Sequence, residues 1–483
     1  MSNHSSHVNP VCKRFFVYLP LKLISPMSPG IGKSDSAWSD HDILRNSRGN
    51  ALLSGTTIAG NFRHALKKEG VSDDSIDNLL GSSVDPGRTS LGEQSRLWVM
   101  ESEINDADVL IRDGVALDAG KQAIDQRKFD MEAIATGAVF NIRLELMIRK
   151  NDLEKDGSSK TEETFLKLLA LIRDGAIRIG AKTNRGYGRT RTDMEKAKVF
   201  ACDFTKSDPK AIDDWIAFRW PTEEKDGADW QGLADCWKLP ETVASGQETR
   251  IEVDLTLLSS ILIRSDDHED ILENTLGVEG NGDFKSHIHC GKVPVIPGTS
   301  WSGVFRANMR KILIELASAS DSDIEKVNDF ADDILDDIFG QASESSDEAD
   351  SSAKASKIRF EEGTLHKDEE GGYILTTRAC INRFTGGISE GSLFTTMPWY
   401  RGGTKLEIAF PKEDSLIREL VMMVLYDLND GLVSVGGETG VGRGRFSLGE
   451  LRIDGKVEEK LPVKFSEIAA VLQARKVKKG GGM

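Results

Sequence analysis

Two stretches of glycine and arginine carry the strongest chemical signal in the sequence. One runs Gly180-Ala181-Lys182-Thr183-Asn184-Arg185-Gly186-Tyr187-Gly188-Arg189, the other Gly436-Gly437-Glu438-Thr439-Gly440-Val441-Gly442-Arg443-Gly444-Arg445. Glycines let a backbone take positive φ and approach a partner closely. Lys182, Asn184, Arg185, Arg189, Arg443 and Arg445 add cations and donors beside them. That combination suits a phosphate chain gripped by amides and guanidinium groups. A nucleotide-cofactor site fits poorly, because the Gly186 turn follows a helical pattern and lacks both a Gly-Lys-(Ser/Thr) ending and an acidic ribose partner. A tight hairpin is the bland alternative for either turn alone; a matched pair favours phosphate. Gly55-Thr56-Thr57 and Gly298-Thr299-Ser300 open helical patterns, where free amides and hydroxyls make a ready anion site, with Arg63 and Arg306 further along each phrase.

These residues belong to two copies of one module. Phe16–Leu23 and Ile251–Leu257 alternate as strands do. Each leads to a matching phrase, Gly55–Arg63 and Gly298–Arg306, offset by 243 residues (298 minus 55). Leu80-Gly81 is echoed by Phe339-Gly340, and Ser95–Val99 by Ser356–Phe360. The glycine turns close both copies at an offset of 256 (436 minus 180), and insertions between landmarks account for the drift. Second helices are expected at 162–174 and 414–427. The order βαββαβ predicts an α+β protein of two tandem ferredoxin-like (RRM-like) domains with insertions, helices lying on one face of an antiparallel sheet. The expected organisation is a first module at 1–195, a connector at 196–247, a second module at 248–460 with an acidic insertion at 319–355, and an extension at 461–483. Trp215, Trp220, Trp230 and Trp237 in the connector are expected to pack the modules together rather than stack bases, and the basic tail 476–482 is expected to be flexible.

Composition bounds the rest. The chain has 483 residues, 39% hydrophobic and 29% charged, which suits two or three globular domains. No apolar run reaches the ~20 residues of a membrane span, and the polar N-terminus lacks a secretory h-region. Five separated cysteines without a CxxC pair suggest reduced thiols and a cytoplasmic setting. The net charge of −16 argues against nucleic acid only until it is located. Residues 321–350 hold twelve acids and one base, so that run, expected to be solvated, carries −11 of it. Global acidity therefore leaves room for a local basic groove.

The motifs resemble the RAMP superfamily, the repeat-associated proteins of CRISPR interference complexes. Ile296–Arg306 fits its Ile-Pro-Gly-Thr/Ser-Ser-x-x-Gly-x-x-Arg helix start, whereas Leu53-Ser54-Gly55 lacks the proline. Ile381-Asn382-Arg383-Phe384-Thr385-Gly386-Gly387 resembles the Ile-Asp-Arg-x-Thr-Gly stretch of backbone subunits, with Ile124-Asp125-Gln126-Arg127 a weaker counterpart. The resemblance covers roughly 15–195 and 248–455. It implies a tandem fusion of two backbone modules, similar to type III effectors and to III-D variants in particular. Guide CRISPR RNA, complementary single-stranded target RNA and other effector subunits are the implied partners, with Arg383 added to the RNA-binding residues.

In type III backbone subunits an aspartate in the loop after the first strand cuts target RNA, in a pattern similar to Asp-x-x-Val-x-Arg-Asp-x-x-Gly. Asp40 to Gly49 fits, and Asp283 to Gly291 is one residue shorter and lacks the arginine. Each acid precedes its first glycine phrase by 15 residues (55 minus 40, 298 minus 283). The resemblance implies that Asp40 and Asp283 are catalytic and hold a loosely bound Mg²⁺ or similar cation, orienting a ribose 2′-hydroxyl for in-line attack. Asp42 could replace Asp40, and Asp266 or Asp267 could replace Asp283. Hairpins around 113–133 and 376–398 are expected to wedge into the guide–target duplex. His287 and His289 alternate onto one side of a strand, but no further ligand group follows, so loop or strand-edge roles are expected. A proton-transfer role for His41 is a lesser reading. Two rivals remain: a non-catalytic scaffold of the same complex, and a guide-maturation endoribonuclease, for which the first half offers His41 and His64.

Overall fold

The computed structural model describes residues 9–30, 41–82, 94–117, 123–205, 209–221, 230–242, 247–265, 285–318, 323–341, 354–462 and 464–480. Asp40, Asp266, Asp267 and Asp283 lie outside the described residues, and only the backbone of 124–127 is described. The chain divides into two compact units. The first comprises 1–109, 132–181 and 187–245; the second comprises 110–131, 182–186 and 246–483.

The first unit is built on β1 (Val11–Leu23), whose alternation buries Val17, Leu19, Leu21 and Leu23 on one face. β2 (Leu97–Val99), β3 (Val139–Arg149) and β4 (Lys198–Asp203) join it in a six-stranded antiparallel sheet, along the path β4-β1-β3-β2. Three helices cover the buried face: α1 (Gly55–Lys68), α2 (Asp73–Leu80) and α3 (Lys160–Arg173). Ser54, Ser72 and Ser159 cap them by accepting from the amide three residues on. Ile58, Phe62, Leu66, Ile76, Leu79, Phe165 and Leu168 then close the core against β1 and β3. The opposite face carries Phe16, Phe200, Phe218, Trp220 and Trp230 in one aromatic cluster, and Trp237 packs on Phe15 and Phe165. These tryptophans therefore cover the first unit's own sheet. A sheet with apolar residues on both faces needs cover on both sides.

The second unit repeats the pattern. β5 (Glu248–Leu257), β6 (Arg359–Phe360), β7 (Gly403–Pro411) and β8 (Phe446–Ile453) run antiparallel in the order β6-β7-β5-β8. α4 (Gly298–Ser318), α5 (Ile324–Phe339) and α6 (Ser415–Asn429) fill the core with Trp301, Phe305, Leu335, Leu420 and Leu425. The architecture is thus mixed α+β, as expected. A C-terminal helix, α7 (Ser466–Gly480), includes residues 476–480 of the tail expected to be flexible. Its start is held by the Glu419 carboxylate, which accepts from Glu467 N at 3.0 Å and Ile468 N at 3.1 Å. No helix among the described residues is long and apolar enough to cross a membrane.

The acidic run departs from its expectation. Residues 324–339 form α5, capped by Asp323, with Val327, Ala331, Leu335 and Ile338 buried along one face. Asp332 pairs with Arg310 at 2.8 Å and Asp336 with Arg306 at 2.7 Å. α2 and α5 also end alike, at Gly81 (φ 80°, ψ 158°) and Gly340 (φ 79°, ψ 165°). The run therefore contains the second module's counterpart of α2; its charge hid an apolar stripe at helical spacing. Leu335→Ala is expected to cost ~2–5 kcal/mol of unfolding free energy and Asp333→Ala less than ~0.5. Equal, small losses in denaturant titrations would mean that α5 does not pack.

Candidate nucleic-acid interface

Each glycine turn is pinned to the segment that follows the first strand of its sheet. Ala181 N donates to Ser28 O at 2.9 Å and Gly188 N to Pro26 O at 2.7 Å. In the second copy Gly437 N donates to Leu262 O and Gly444 N to Ser260 O, both at 2.7 Å. Ile179 N and Val435 N close the turns by donating to Gly188 O and Gly444 O, each at 2.9 Å. A Cβ on Gly188 would lie 2.0 Å from Ile179 O, and one on Gly444 1.9 Å from Val435 O, at φ of +75° and +73°. Only glycine fits there. Within each turn a left-handed residue, Lys182 (φ 56°) or Glu438 (φ 55°), opens one 3₁₀ turn that ends at Gly186 (φ 87°) or Gly442 (φ 86°).

The tips differ in what they meet. In the second unit, Lys182 lies 4.3 Å over the Phe129 ring with its Nζ 2.7 Å from Met131 Sδ. Burial, with the charge of Arg185, pushes its ammonium pKa down to about 8. Asn184 donates to Ser356 O at 3.2 Å, while Arg185 is exposed. Cβ atoms added at Gly186 and Gly298 would lie 2.9 and 2.3 Å from Phe360 O, and the Gly298 one 2.5 Å from Arg185 O. Two of the predicted sites, the Gly186 turn and the Gly298 helix start, are thus brought together. At the other turn Glu438 receives Arg378, Arg443 Nε at 3.0 Å and Arg264 at 3.5 Å. Burial opposes its ionisation, but the hydrogen bond and charge of Arg378 outweigh that and hold its pKa below the usual carboxylate value. Arg443 is buried and donates also to Ser260 Oγ at 3.1 Å and Thr396 Oγ1 at 3.4 Å. Gly442 has open space around it and Arg445 is exposed against Gly431. Arg189 is half-buried, with its amide donating to Ser25 Oγ at 3.0 Å.

At the helix starts, Ser54 Oγ accepts from Thr57 N at 3.2 Å and lies within hydrogen-bond distance of both threonine hydroxyls, 3.0 Å for Thr56 and 2.8 Å for Thr57. Thr56 and Thr299 are exposed, Thr57 and Ser300 half-buried. A Cβ at Gly55 would meet Val99 O at 2.2 Å, so this glycine seats α1 against β2. Arg63 and Arg306 take equivalent intramolecular partners. Arg63 binds Asp77 and the Gly81 carbonyl at the end of α2; Arg306 binds Asp336 near the end of α5. Both side chains remain about a third to two-fifths exposed (32% and 42%), so each guanidinium keeps a solvent-facing side.

In the first unit the chain after Asp40 is fixed by a residue the sequence did not single out. Glu132 accepts from Ile43 N at 3.0 Å and from Arg45 at 2.9 Å, and its own amide donates to His41 O at 2.9 Å. Its only signal is an acid set among the apolar residues Met131, Ala133 and Ile134. Asp42 lies in this loop and is half-buried. His287 is a core residue: its Nδ1 accepts from Ile263 N at 3.0 Å and its Nε2 faces Val295 O at 3.0 Å. Burial pushes its pKa down to about 3, so the ring is neutral. Among the described residues no group of three or more His, Cys, Asp or Glu could hold a metal. The hairpin Thr376–Ile381/Ile388–Met397 ends in a turn organised by Asn382 Oδ1, which accepts from Phe384 N at 2.9 Å and Thr385 N at 3.2 Å. Phe384 at its tip is 98% exposed, beside exposed Arg383.

The duplicated turns and helix starts fall inside two segments, 21–191 and 254–447, that match the family model of the RAMP superfamily. The chain belongs to the RAMP superfamily. As a RAMP protein it is a CRISPR-associated RNA-binding protein that works in a complex with other CRISPR subunits. No curated protein matches it. In a RAMP protein with these turns, Gly188→Ala and Gly444→Ala should each cost on the order of 2–4 kcal/mol, from steric overlap and left-handed strain. Gly60→Ala, where a Cβ meets open space in α1, should be neutral or slightly stabilising. Chemical denaturation of the three variants decides; a benign Gly444→Ala would contradict the turn geometry.

Proposed function

We propose that the protein is a two-module backbone subunit of a type III CRISPR ribonucleoprotein, with a III-D-like tandem arrangement, acting in the cytoplasm on guide and target RNA. The observation that carries this reading is the repetition of one pinned glycine turn, with the same dihedral angles, at the end of both RAMP segments. The sheet orders β4-β1-β3-β2 and β6-β7-β5-β8 support a ferredoxin-like fold for each module. Five free cysteines among the described residues support a reducing compartment.

Guide RNA is gripped through its backbone. The exposed Thr56 and Thr299 at the starts of α1 and α4 offer hydroxyls to phosphates, and Lys182, Arg185, Arg189 and Arg445 supply charge. Phe384 and Arg383 at the hairpin tip suit stacking on a base, which supports a wedge that splays one nucleotide of the guide–target duplex. Asp40 and Asp283 are the residues that would hold a divalent cation such as Mg²⁺, with Asp42 nearby; carboxylates fit such a hard ion. The cation would neutralise charge on the non-bridging phosphate oxygens. In the cut itself the 2′-oxygen of the splayed nucleotide bonds to its own 3′ phosphorus and loses its proton towards the aspartate. The P–O5′ bond breaks and the leaving 5′-oxygen takes a proton from solvent, giving a 2′,3′-cyclic phosphate and a 5′-hydroxyl. Glu132 holds the loop carrying Asp42 against its hairpin strand and acts as a positioning residue.

Assembled with guide, Asp40→Ala and Asp283→Ala should each abolish one cut of complementary RNA and spare the other, and EDTA should abolish both. Wild-type fragment patterns from both variants would leave a scaffold whose cleavage is done elsewhere; cutting of precursor RNA alone would indicate guide maturation. Binding has its own pH signature. Lys182 is cationic below about pH 8 and neutral above it, so affinity for oligoadenylate should fall as the pH rises from about 7 to 9. Lys182→Arg, which stays charged, should flatten that profile. A profile that is the same in both proteins would remove Lys182 from the RNA-binding set.

A further inference from the structure

Glu438 occupies the same left-handed position as Lys182 in the paired turn, yet carries the opposite charge. Three guanidinium groups converge on its one carboxylate: Arg378, Arg443 and Arg264. Three positive charges against one negative leave a local surplus of two. The Nε of Arg378 is buried with no hydrogen-bond partner among the described residues. Arg264, Arg378 and Glu438 line a cavity of about 720 Å³ together with Lys285, Phe394 and Thr396. Phe394 is 59% exposed, so the cavity offers a ring face beside its cations. A carboxylate embraced by guanidinium groups resembles a bound phosphodiester, since each is a monoanion that presents two acceptor oxygens to the same donors.

We propose that the second turn is a phosphodiester-binding site occupied by its own side chain, in which Glu438 stands where a phosphate of RNA binds. An incoming nucleotide displaces the carboxylate from Arg264, Arg378 and Arg443 and lays its base against Phe394. The first turn has no such competitor, because Lys182 adds charge at the corresponding place. The two modules then differ in kind: the first turn presents a cation at this place, and the second loads only against an internal carboxylate. The identity of the ligand as RNA rests on the function proposed above; the anion site itself does not.

The test uses the full chain, wild type and Glu438→Gln, titrated by calorimetry with pyrophosphate and, in parallel, with oligoadenylate at several salt concentrations. Removing the competitor charge should tighten pyrophosphate binding about tenfold, the scale of one charge-assisted hydrogen bond. The log–log salt slope for oligoadenylate should steepen by about 0.7, one added phosphate contact on a single strand. Unchanged or weaker pyrophosphate affinity in Glu438→Gln overturns the proposal. Should Glu438→Gln fold poorly, Arg264→Gln on the exposed side of the cluster serves instead: it should weaken pyrophosphate binding about threefold, and no change overturns the site. Tighter pyrophosphate binding with no RNA binding by either protein upholds the anion site and sinks the RNA reading. RNA binding that ignores Glu438→Gln, with pyrophosphate affinity also unchanged, sinks the site and leaves the RNA reading standing.

Discussion

Two amide-to-carbonyl hydrogen bonds in each module, from the glycine turn to the segment after the first strand, set the geometry on which the rest depends. Gly188 N to Pro26 O and Gly444 N to Ser260 O tie the end of each module to its beginning. Because backbone atoms make the link, the side chains of the turn are free to diverge while the path of the chain stays fixed. The absence of a Cβ at Gly188 and Gly444 is what allows the two strands of the turn to approach. Pinning of this kind removes conformational freedom before any ligand arrives, so less ordering is left for binding to oppose.

The sequence made the duplication and the turn positions legible because glycine is the residue least replaceable at positive φ. Gly180, Gly186 and Gly188 stand at φ of +94°, +87° and +75°, and Gly436, Gly442 and Gly444 at +88°, +86° and +73°. The paired α2 and α5 ends were visible only as Leu80-Gly81 and Phe339-Gly340, a two-residue echo, and the acids around α5 masked its apolar stripe. The tryptophans were legible only as packing residues, because composition shows that an aromatic packs, not on what; Trp220 and Trp230 face Phe16 and Phe200. Arg63, Arg306 and Arg443 show a further limit. Spacing marks an arginine as near a motif, but whether its guanidinium meets solvent or Asp77, Asp336 and Glu438 is decided by tertiary partners.

Glu132 and Glu438 illustrate acids whose work is to hold other groups in place. Each accepts from several donors, and each sits at the junction of a loop with a hairpin arm. A residue of this type leaves no motif, because its partners are far away in sequence: Glu132 is 89 residues from Ile43, and Glu438 is 60 from Arg378. Duplicated chains make such residues easier to find, since a mismatch between equivalent positions, such as Lys182 against Glu438, stands out only when the copies are compared.

α5 has an outward consequence. Glu325, Asp329, Asp333 and Asp337 are exposed and recur every four residues along the helix, with Asp337 at its far end paired to Lys357 at 2.5 Å. Like charges at this spacing weaken a helix by a few tenths of a kcal/mol per pair, and the buried Val327, Ala331, Leu335 and Ile338 offset that cost. To a polyanion the row is a fence. Within a Debye length of about 8–10 Å it repels a phosphate backbone, so a strand approaching the second unit is turned away from that flank. Part of the chain's acidic balance is thereby directional: it repels a polyanion from one flank of the second unit without opposing contact elsewhere on that unit.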